Sequence, residues 1–425
     1  MPRCVRTNRC AERRLAGLGW PGFAIVASAS ALSSCTSSAP AIRQASGAQY
    51  DSVATEIVAP GIVHRRLVAN AGPFSIHVLE VDLRRRDLGI RAARALDSLR
   101  GREATSSISR RMARAGPVLA AVNADFFSLR TGENENNQVI EGEVFKGVQI
   151  TDSPFDSLHT IHSQFGLSCA GHPVLDRFSF EGAVLTPPPA TALFPLDAVN
   201  FRPQPRADAL VLYTARYGTT PNDSASATAE LPLRLTNQAG DTLIYRLAGP
   251  ARTGGGLVLH AGEAALSGTG IAADVLRRMS ASFAGGATLR VVTAFRPKRG
   301  RLCTLVGGWP RVLNDGRSLA DSADRLEGTF PRFSTTRHPR TAIGFSRDSL
   351  TLYLITVDGR SESSSGMSLA ELADLMRSLG VYQGLNLDGG GSTTMVIRGE
   401  VVNHPSDSTG ERPVGNAILV VRKRS

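Results

Sequence analysis

Asp388 stands at the mouth of Asn386-Leu387-Asp388-Gly389-Gly390-Gly391-Ser392-Thr393-Thr394, between an apolar run and a β-branched one. A carboxylate there can serve as acid, base, nucleophile or ligand. Three successive glycines cost backbone entropy. They are expected to earn their place by close approach, with Gly389, Gly390, Gly391 and Ser392 offering backbone N–H groups to an anion. The same arrangement, an apolar run ending in polar groups, recurs at Asn123-Ala124-Asp125, at Gly307-Gly308 and at Asp358-Gly359-Arg360. Arg340 opens a further strand pattern. If these strand ends converge, carboxylates, guanidinium forks and glycine N–H groups meet in one pocket. That chemistry suits a sugar carrying a phosphate: arginine is a planar fork for phosphate, and two carboxylates supply acid and nucleophile or base for a glycosidic bond.

The positioning elements follow from periodicity. Period-two alternation marks strands at residues 62–68 and 74–83, short strands follow at 209–214, 231–235, 242–247 and 289–295, and residues 337–345 and 350–357 read as a hairpin. Residues 105–115 read as a helix capped by Thr105, Ser106 or Ser107, and residues 272–279 as another. The clearest helix begins at Ser368, with Glu371 completing a capping box and Gly380 ending it. Residues 131–138 form a polar loop with two carboxylates beside the Asn123/Asp125 strand end. Residues 317–336 read as an excursion or lid. No fixed repeat points to a propeller or solenoid. The expected fold class is α+β: a single large β-rich mixed-sheet domain with a few packed helices. His64 and His77 fall on the polar side of their alternations and read as surface residues.

Composition is that of a globular chain, with 42% hydrophobic and 20% charged residues and a net charge of +11. Five arginines and one glutamate of that balance lie in residues 1–34, leaving +7 for the rest. The remaining basic residues are scattered, with no aromatic-basic or zinc-finger pattern, so nucleic acid is not an expected partner. No C-x-x-C pair or His-Glu-x-x-His spacing is present, and neither a metal nor a cofactor is expected.

Residues 1–34 have the basic start and small apolar stretch of an export signal. They end in Leu32-Ser33-Ser34-Cys35, which resembles the lipobox of bacterial lipoproteins and makes Cys35 the expected lipidation site. Arg13-Arg14 raises a twin-arginine signal as an alternative. Residues 35–58 read as a flexible tether and residues 59–425 as the catalytic domain. The expected location is the cell envelope, periplasm or outer membrane, with a lipid anchor as the membrane contact. In an oxidising compartment Cys169 and Cys303 are free to pair; sequence leaves open whether they meet.

The chain resembles the phosphodiester glycosidase family. The resemblance is carried by Arg340-Thr341-Ala342-Ile343-Gly344, Val357-Asp358-Gly359 and Leu385-Asn386-Leu387-Asp388-Gly389-Gly390-Gly391-Ser392, and continues into Pro405-Ser406-Asp407 and Arg412-Pro413-Val414. Weaker matches are Asn123-Ala124-Asp125-Phe126-Phe127, Leu210-Val211-Leu212-Tyr213-Thr214 and Gly307-Gly308-Trp309-Pro310. Asp125 departs from a glycine usual in the family. The resemblance implies hydrolysis of a sugar-1-phosphodiester at the C1–O bond, releasing free sugar and a phosphomonoester. An N-acetylglucosamine-1-phosphodiester-like envelope or extracellular glycan is the expected substrate. Asp388 and Asp358 are then the candidate acid and nucleophile or base. Arg340 and Arg360 are candidates to hold the phosphate. Asn123, Asp125, Asn386, Gly307, Gly308, Gly389, Gly390, Gly391, Ser392 and Arg412 are candidates to shape the substrate site. The alternatives are a metal-dependent phosphodiesterase and a non-catalytic glycan-binding lipoprotein.

Overall fold

Alternating apolar residues build four sheets in a computed structural model that describes residues 50–151, 153–186, 193–203, 208–221, 228–282 and 286–423. The expected export signal, Cys35 and the first part of the tether lie outside the described residues. The tether was placed too far along the chain: Ser52–Ala59 is a strand paired antiparallel with Ile62–Ala69. Its outer positions are exposed, so it lacks the apolar density of a core strand, yet ladder hydrogen bonds hold it as a sheet edge.

An eight-stranded sheet runs from that edge through Ile62–Ala69, Phe74–Asp82, Thr351–Val357, Arg340–Ser346, Val381–Asn386 and Arg311–Asn314 to Arg317–Ser318. A five-stranded sheet has Val118–Asn123 at its centre, flanked by Met395–Ile397 and Asn416–Arg422. A second five-stranded sheet is centred on Leu302–Gly307, between Gln138–Ile140 and Gln164–Ser168. These three sheets bury one shared core, in which Leu79, Ile343 and Leu385 meet Ile90, Val122, Ile418, Phe165 and Val306. Every pairing in them is antiparallel. Among the described residues the mixed character expected from sequence comes only from Ala198–Val199, which lies parallel to Leu210–Thr214 in the nine-stranded fourth sheet.

The fourth sheet, with the helix Ile271–Ser282, has its own core around Leu212, Leu231, Leu266 and Leu276. The described residues nevertheless fall in one compact unit, as expected of a single domain. The helix Leu369–Ser378 packs Leu369, Leu372 and Met376 on the outer face of the large sheet, and both bonds of its Ser368–Glu371 capping box are made. The helix Thr105–Met112 forms without a side-chain cap. Ala104 precedes it, and Glu411 accepts the Ser106 N–H at 2.9 Å, so a distant residue does what Thr105, Ser106 and Ser107 were expected to do. His64 and His77 are buried and hydrogen bonded to each other at 3.0 Å; their partnership across adjacent strands, invisible in the alternation, lets them leave the surface.

Cys169 and Cys303 form a disulfide that joins the end of Gln164–Ser168 to the start of Leu302–Gly307. It closes the chain on both sides of the excursion that holds the fourth sheet.

Candidate active site

The glycine turn hands the chain from one sheet to another: Val381–Asn386 belongs to the eight-stranded sheet, whereas Met395–Ile397 pairs with Val118–Asn123. That crossing explains the glycines. Gly390 has φ +61°, and a side chain on Gly391 would collide with Arg412 and Asp407. The expected anion nest is not formed by these residues. Gly390 N–H donates to the Pro339 carbonyl at 2.9 Å, and Ser392 N–H to the Gly389 carbonyl at 3.2 Å. Two of the four donors are thus taken by backbone carbonyls, and the Gly389 N–H acts on the Asp388 carboxylate.

Asn123 stitches the crossing together. Its Nδ2 donates to the Asp388 carbonyl at 2.6 Å, while its Oδ1 accepts from Thr341 Oγ1 at 2.8 Å and from Thr394 N at 3.1 Å. Asn386 Nδ2 donates to the Trp309 carbonyl at 2.6 Å. Both asparagines are buried and position the backbone around Asp388, and Asn386 Oδ1 has no partner among the described residues. Gly307 and Gly308 are buried too, and a Cβ on Gly307 would strike Asn136 and Asp125. Their contribution is close packing beneath the site, so direct substrate contact, expected from their place at a strand end, is corrected.

Three carboxylates form one electrostatic group: Asp388, Asp125 and Glu135. Asp125 is buried and accepts Asn134 Nδ2 at 3.0 Å, Asn136 N at 3.1 Å and Asn136 Nδ2 at 2.8 Å. Burial raises its pKa against those bonds. Glu135 and Asp388 each keep a partly exposed face. Burial, with Asp125 adding repulsion, pushes Glu135 up to about 8. Burial likewise pushes Asp388 up to about 7, opposed by the Ser392 hydroxyl and the Arg412 charge and reinforced by Asp125. Sequence reasoning did not single out Glu135 within its loop. The signal was a carboxylate in a polar loop adjoining the Asp125 strand end.

Asp358 is placed apart from that group, in a hydrogen-bonded setting of its own. Its Oδ1 accepts Asn403 Nδ2 at 3.0 Å and His404 N at 2.9 Å, and its Oδ2 accepts Ser75 Oγ at 3.0 Å. Burial raises its pKa, those bonds oppose the rise, and neither Asp388 nor Glu135 is among the charges acting on it. It anchors residues 403–404. The strand pattern put it at the right end of the sheet, but side-chain direction sends it to a different neighbour.

Arg340 is buried, and burial alone pushes its pKa down to about 10, with no carboxylate offsetting it among the described residues. Nε donates to the Met367 carbonyl at 2.9 Å, and Nη2 to the carbonyls of Phe333 at 2.8 Å and Thr336 at 3.3 Å. The guanidinium therefore fastens the 333–336 segment while its charge stays uncompensated. Arg360 is exposed and reaches over Gly390. Burial and the charges of Arg340, Arg360 and Arg332 together hold His338 below its usual range. This cationic group adjoins the turn: the backbone at Pro339 and Arg340 packs on Gly389. Arg412 is bidentate with Asp407, at 2.8 and 3.0 Å, beside Gly391. Phe126, next to Asp125, meets Trp309 edge-on at 5.9 Å and Phe333 at 6.3 Å, forming an aromatic wall. Among the described residues no group of three or more His, Cys, Asp or Glu side chains is arranged to hold a metal ion.

The raised carboxyls set the sign of a pH effect. The folded chain holds protons on Asp388 and Glu135 that the unfolded chain releases near pH 4, so stability falls as pH rises from about 4 through 8. Glu135→Gln is expected to melt above the wild type at pH 9, by about 1–3 kcal/mol after solvent screening, with the difference vanishing at pH 4. Thermal unfolding of both proteins across that range tests it; a variant less stable at pH 9 than at pH 4, relative to wild type, would contradict the sign.

A β-rich α+β fold whose strand ends gather protonatable carboxylates beside uncompensated arginines defines a carboxylate-based site for an anionic substrate. Residues 251–421 match the family model described as phosphodiester glycosidase. The chain is 35% identical over 95 residues to the N-acetylglucosamine-1-phosphodiester alpha-N-acetylglucosaminidase of Mus musculus. That alignment covers 22% of this chain and 18% of the mouse protein, so the chain spans less than a fifth of that relative's length. A crystal structure of a hypothetical protein from Synechocystis shares the fold with a TM-score of 0.67 at 19% identity, over 88% of this chain and 64% of that one. A Burkholderia pseudomallei K96243 protein does so with a TM-score of 0.59 at 22% identity, over 82% and 74%.

Proposed function

We propose that the chain hydrolyses the C1–O bond of a sugar-1-phosphodiester, releasing free sugar and a phosphomonoester. The observation that carries this reading is the pairing of Asp388 and Glu135, both protonatable near neutrality, beside a buried arginine with no offsetting carboxylate. Between about pH 7 and 8 the pair holds one proton in its reactive form. Arg412 favours the ionised state at Asp388, and the higher value at Glu135 favours the proton there. Asp388 then supplies negative charge at C1, as nucleophile or as base for water. Glu135 places its proton at the departing oxygen. A phosphomonoester is already a good leaving group, so the larger demand is to hold its charge. Exposed Arg360 presents a positive guanidinium to it, buried Arg340 adds its charge from beneath, and neutral His338 offers a hydrogen bond. The partly exposed rings of Phe126 and Phe333 give the sugar an apolar face to stack on. An N-acetylglucosamine-1-phosphodiester in an envelope or extracellular glycan is the proposed substrate class, met by a protein exported and lipid-anchored at Cys35.

The test uses an α-N-acetylglucosamine-1-phosphomethyl diester in ¹⁸O water, with and without EDTA. Free sugar labelled at C1, indifferent to EDTA, is the expected product. Label in sugar-1-phosphate would move the cut to phosphorus and overturn the reading in favour of a phosphodiesterase. The profile of kcat/KM against pH is expected to be bell-shaped, with limbs near 7 and 8 belonging to the carboxyl pair as a whole.

A further inference from the structure

The wall of the site runs outward into apolar residues that the sugar and phosphate do not need. Phe333 lies over the Arg340 guanidinium, 5.0 Å from Cζ to ring centroid, and Phe330 packs edge-on against Phe333 at 6.0 Å. Phe330 is 42% exposed, and Leu326, on the same segment, is 37% exposed. This segment is tied to a second loop: Ser157 N and Oγ both donate to the Gly328 carbonyl, at 3.2 and 3.1 Å. Gly328 also lies directly against Leu158. That loop adds Phe155 at 55% and Leu158 at 43% exposure, and its Ser153 acts on Glu135. Four large apolar side chains therefore share two joined loops, one carrying the Ser153 that acts on Glu135 and the other leading to the Phe333 that lies over Arg340. Isolated exposed apolar residues are ordinary, but a group continuous with a charged pocket marks a binding surface.

We propose that this rim seats the apolar alcohol of the phosphodiester, so that the substrate class is an amphiphile: a sugar-1-phosphate esterified to a long alkyl or isoprenyl chain. The proposal rests on the phosphodiester reading above. The groups brought together match the parts of such a molecule: carboxylates and Phe126 for the sugar, Arg340 and Arg360 for the phosphate, and Phe330, Leu326, Phe155 and Leu158 for the chain. An uncharged, strongly polar alcohol would leave these side chains facing water and gain nothing from them.

The experiment compares two measurements on the whole protein and on the Phe155→Ser, Phe330→Ser double variant. In the first, calorimetry compares dodecyl phosphate with methyl phosphate, below the concentration at which the former aggregates. In the second, turnover of dodecyl and methyl diesters of the same sugar-1-phosphate is followed. Wild type is expected to prefer the dodecyl ligand in both, by roughly tenfold for each two methylenes seated. The double variant is expected to lose that preference while keeping methyl diester turnover. Equal affinity for the two phosphates, or a preference that survives in the double variant, overturns the proposal. Dodecyl phosphate binding that depends on the rim, with neither diester turned over, supports the apolar subsite and instead sinks the glycosidase reading. A wild type that sediments as a dimer dispersed by the double substitution would assign the rim to a second copy and overturn the proposal.

Discussion

Asp388→Asn is expected to lower kcat by roughly 10³-fold or more. The substitution keeps shape and removes the charge, so it isolates the chemistry from the packing. Asp388 sits where the chain crosses between two sheets, and Asn123 holds its carbonyl at 2.6 Å, so the main chain has little freedom to adjust. Glu135→Gln is expected to cost less, roughly 10²-fold, because a phosphomonoester departs with little help from an acid. It should also remove the alkaline limb of the pH profile. Asp358→Asn is the control. That carboxylate is spent on Ser75, Asn403 and His404, so the amide is expected to lower thermal stability and leave kcat of the folded protein within about tenfold. Steady-state kinetics on the three variants, normalised to folded protein, decide the assignment. Asp388→Asn within tenfold of wild type, or Asp358→Asn as inactive as Asp388→Asn is meant to be, would return the chemistry to a different carboxylate.

Removing the disulfide is expected to cost about 3–5 kcal/mol. Cys169 and Cys303 are separated by 134 positions, and the covalent bond restricts a correspondingly large loop in the unfolded chain. The two cysteines flank paired strands, since Gln164–Ser168 lies antiparallel to Leu302–Gly307, so the native geometry already holds their backbones together. The same strand leads on to Gly307, packed under Asp125, and to Trp309 in the aromatic wall. Fraying at this junction therefore reaches the site. Denaturant midpoints for Cys169→Ser, Cys303→Ser and the double variant measure the effect. The double variant should be no worse than either single one, because each single substitution already breaks the bond. A loss below about 1 kcal/mol would overturn this expectation and show that the bond restricts the unfolded chain little.

Much of the site was legible because it is written in contiguous motifs. The apolar run into Asn386-Leu387-Asp388 and the run into Asn123-Ala124-Asp125 are local patterns, and each strand lies where its run predicts. The helix at Leu369–Ser378 was equally local, since a capping box is complete within four residues. The family match, covering residues 251–421, includes Asp388, Arg340, Arg360 and Arg412 but neither Asp125 nor Glu135. Those two enter the site by folding.

What the sequence settled by itself were properties with a short range: a β-rich α+β chain, strand ends loaded with carboxylates and arginines, and a glycine turn under steric demand. What only the tertiary structure decided was partnership. It gave Asp388 the company of Glu135 and Asp125 and raised its pKa toward neutrality. It turned Asp358 toward Asn403 and His404, and it gave the Gly390 N–H to the crossing chain at Pro339. It also left Arg340 buried with no offsetting carboxylate. The reason is physical: periodicity fixes which face of a strand a side chain leaves from, over a few residues. Its charge state and neighbours depend on burial and on groups brought from more than two hundred positions away.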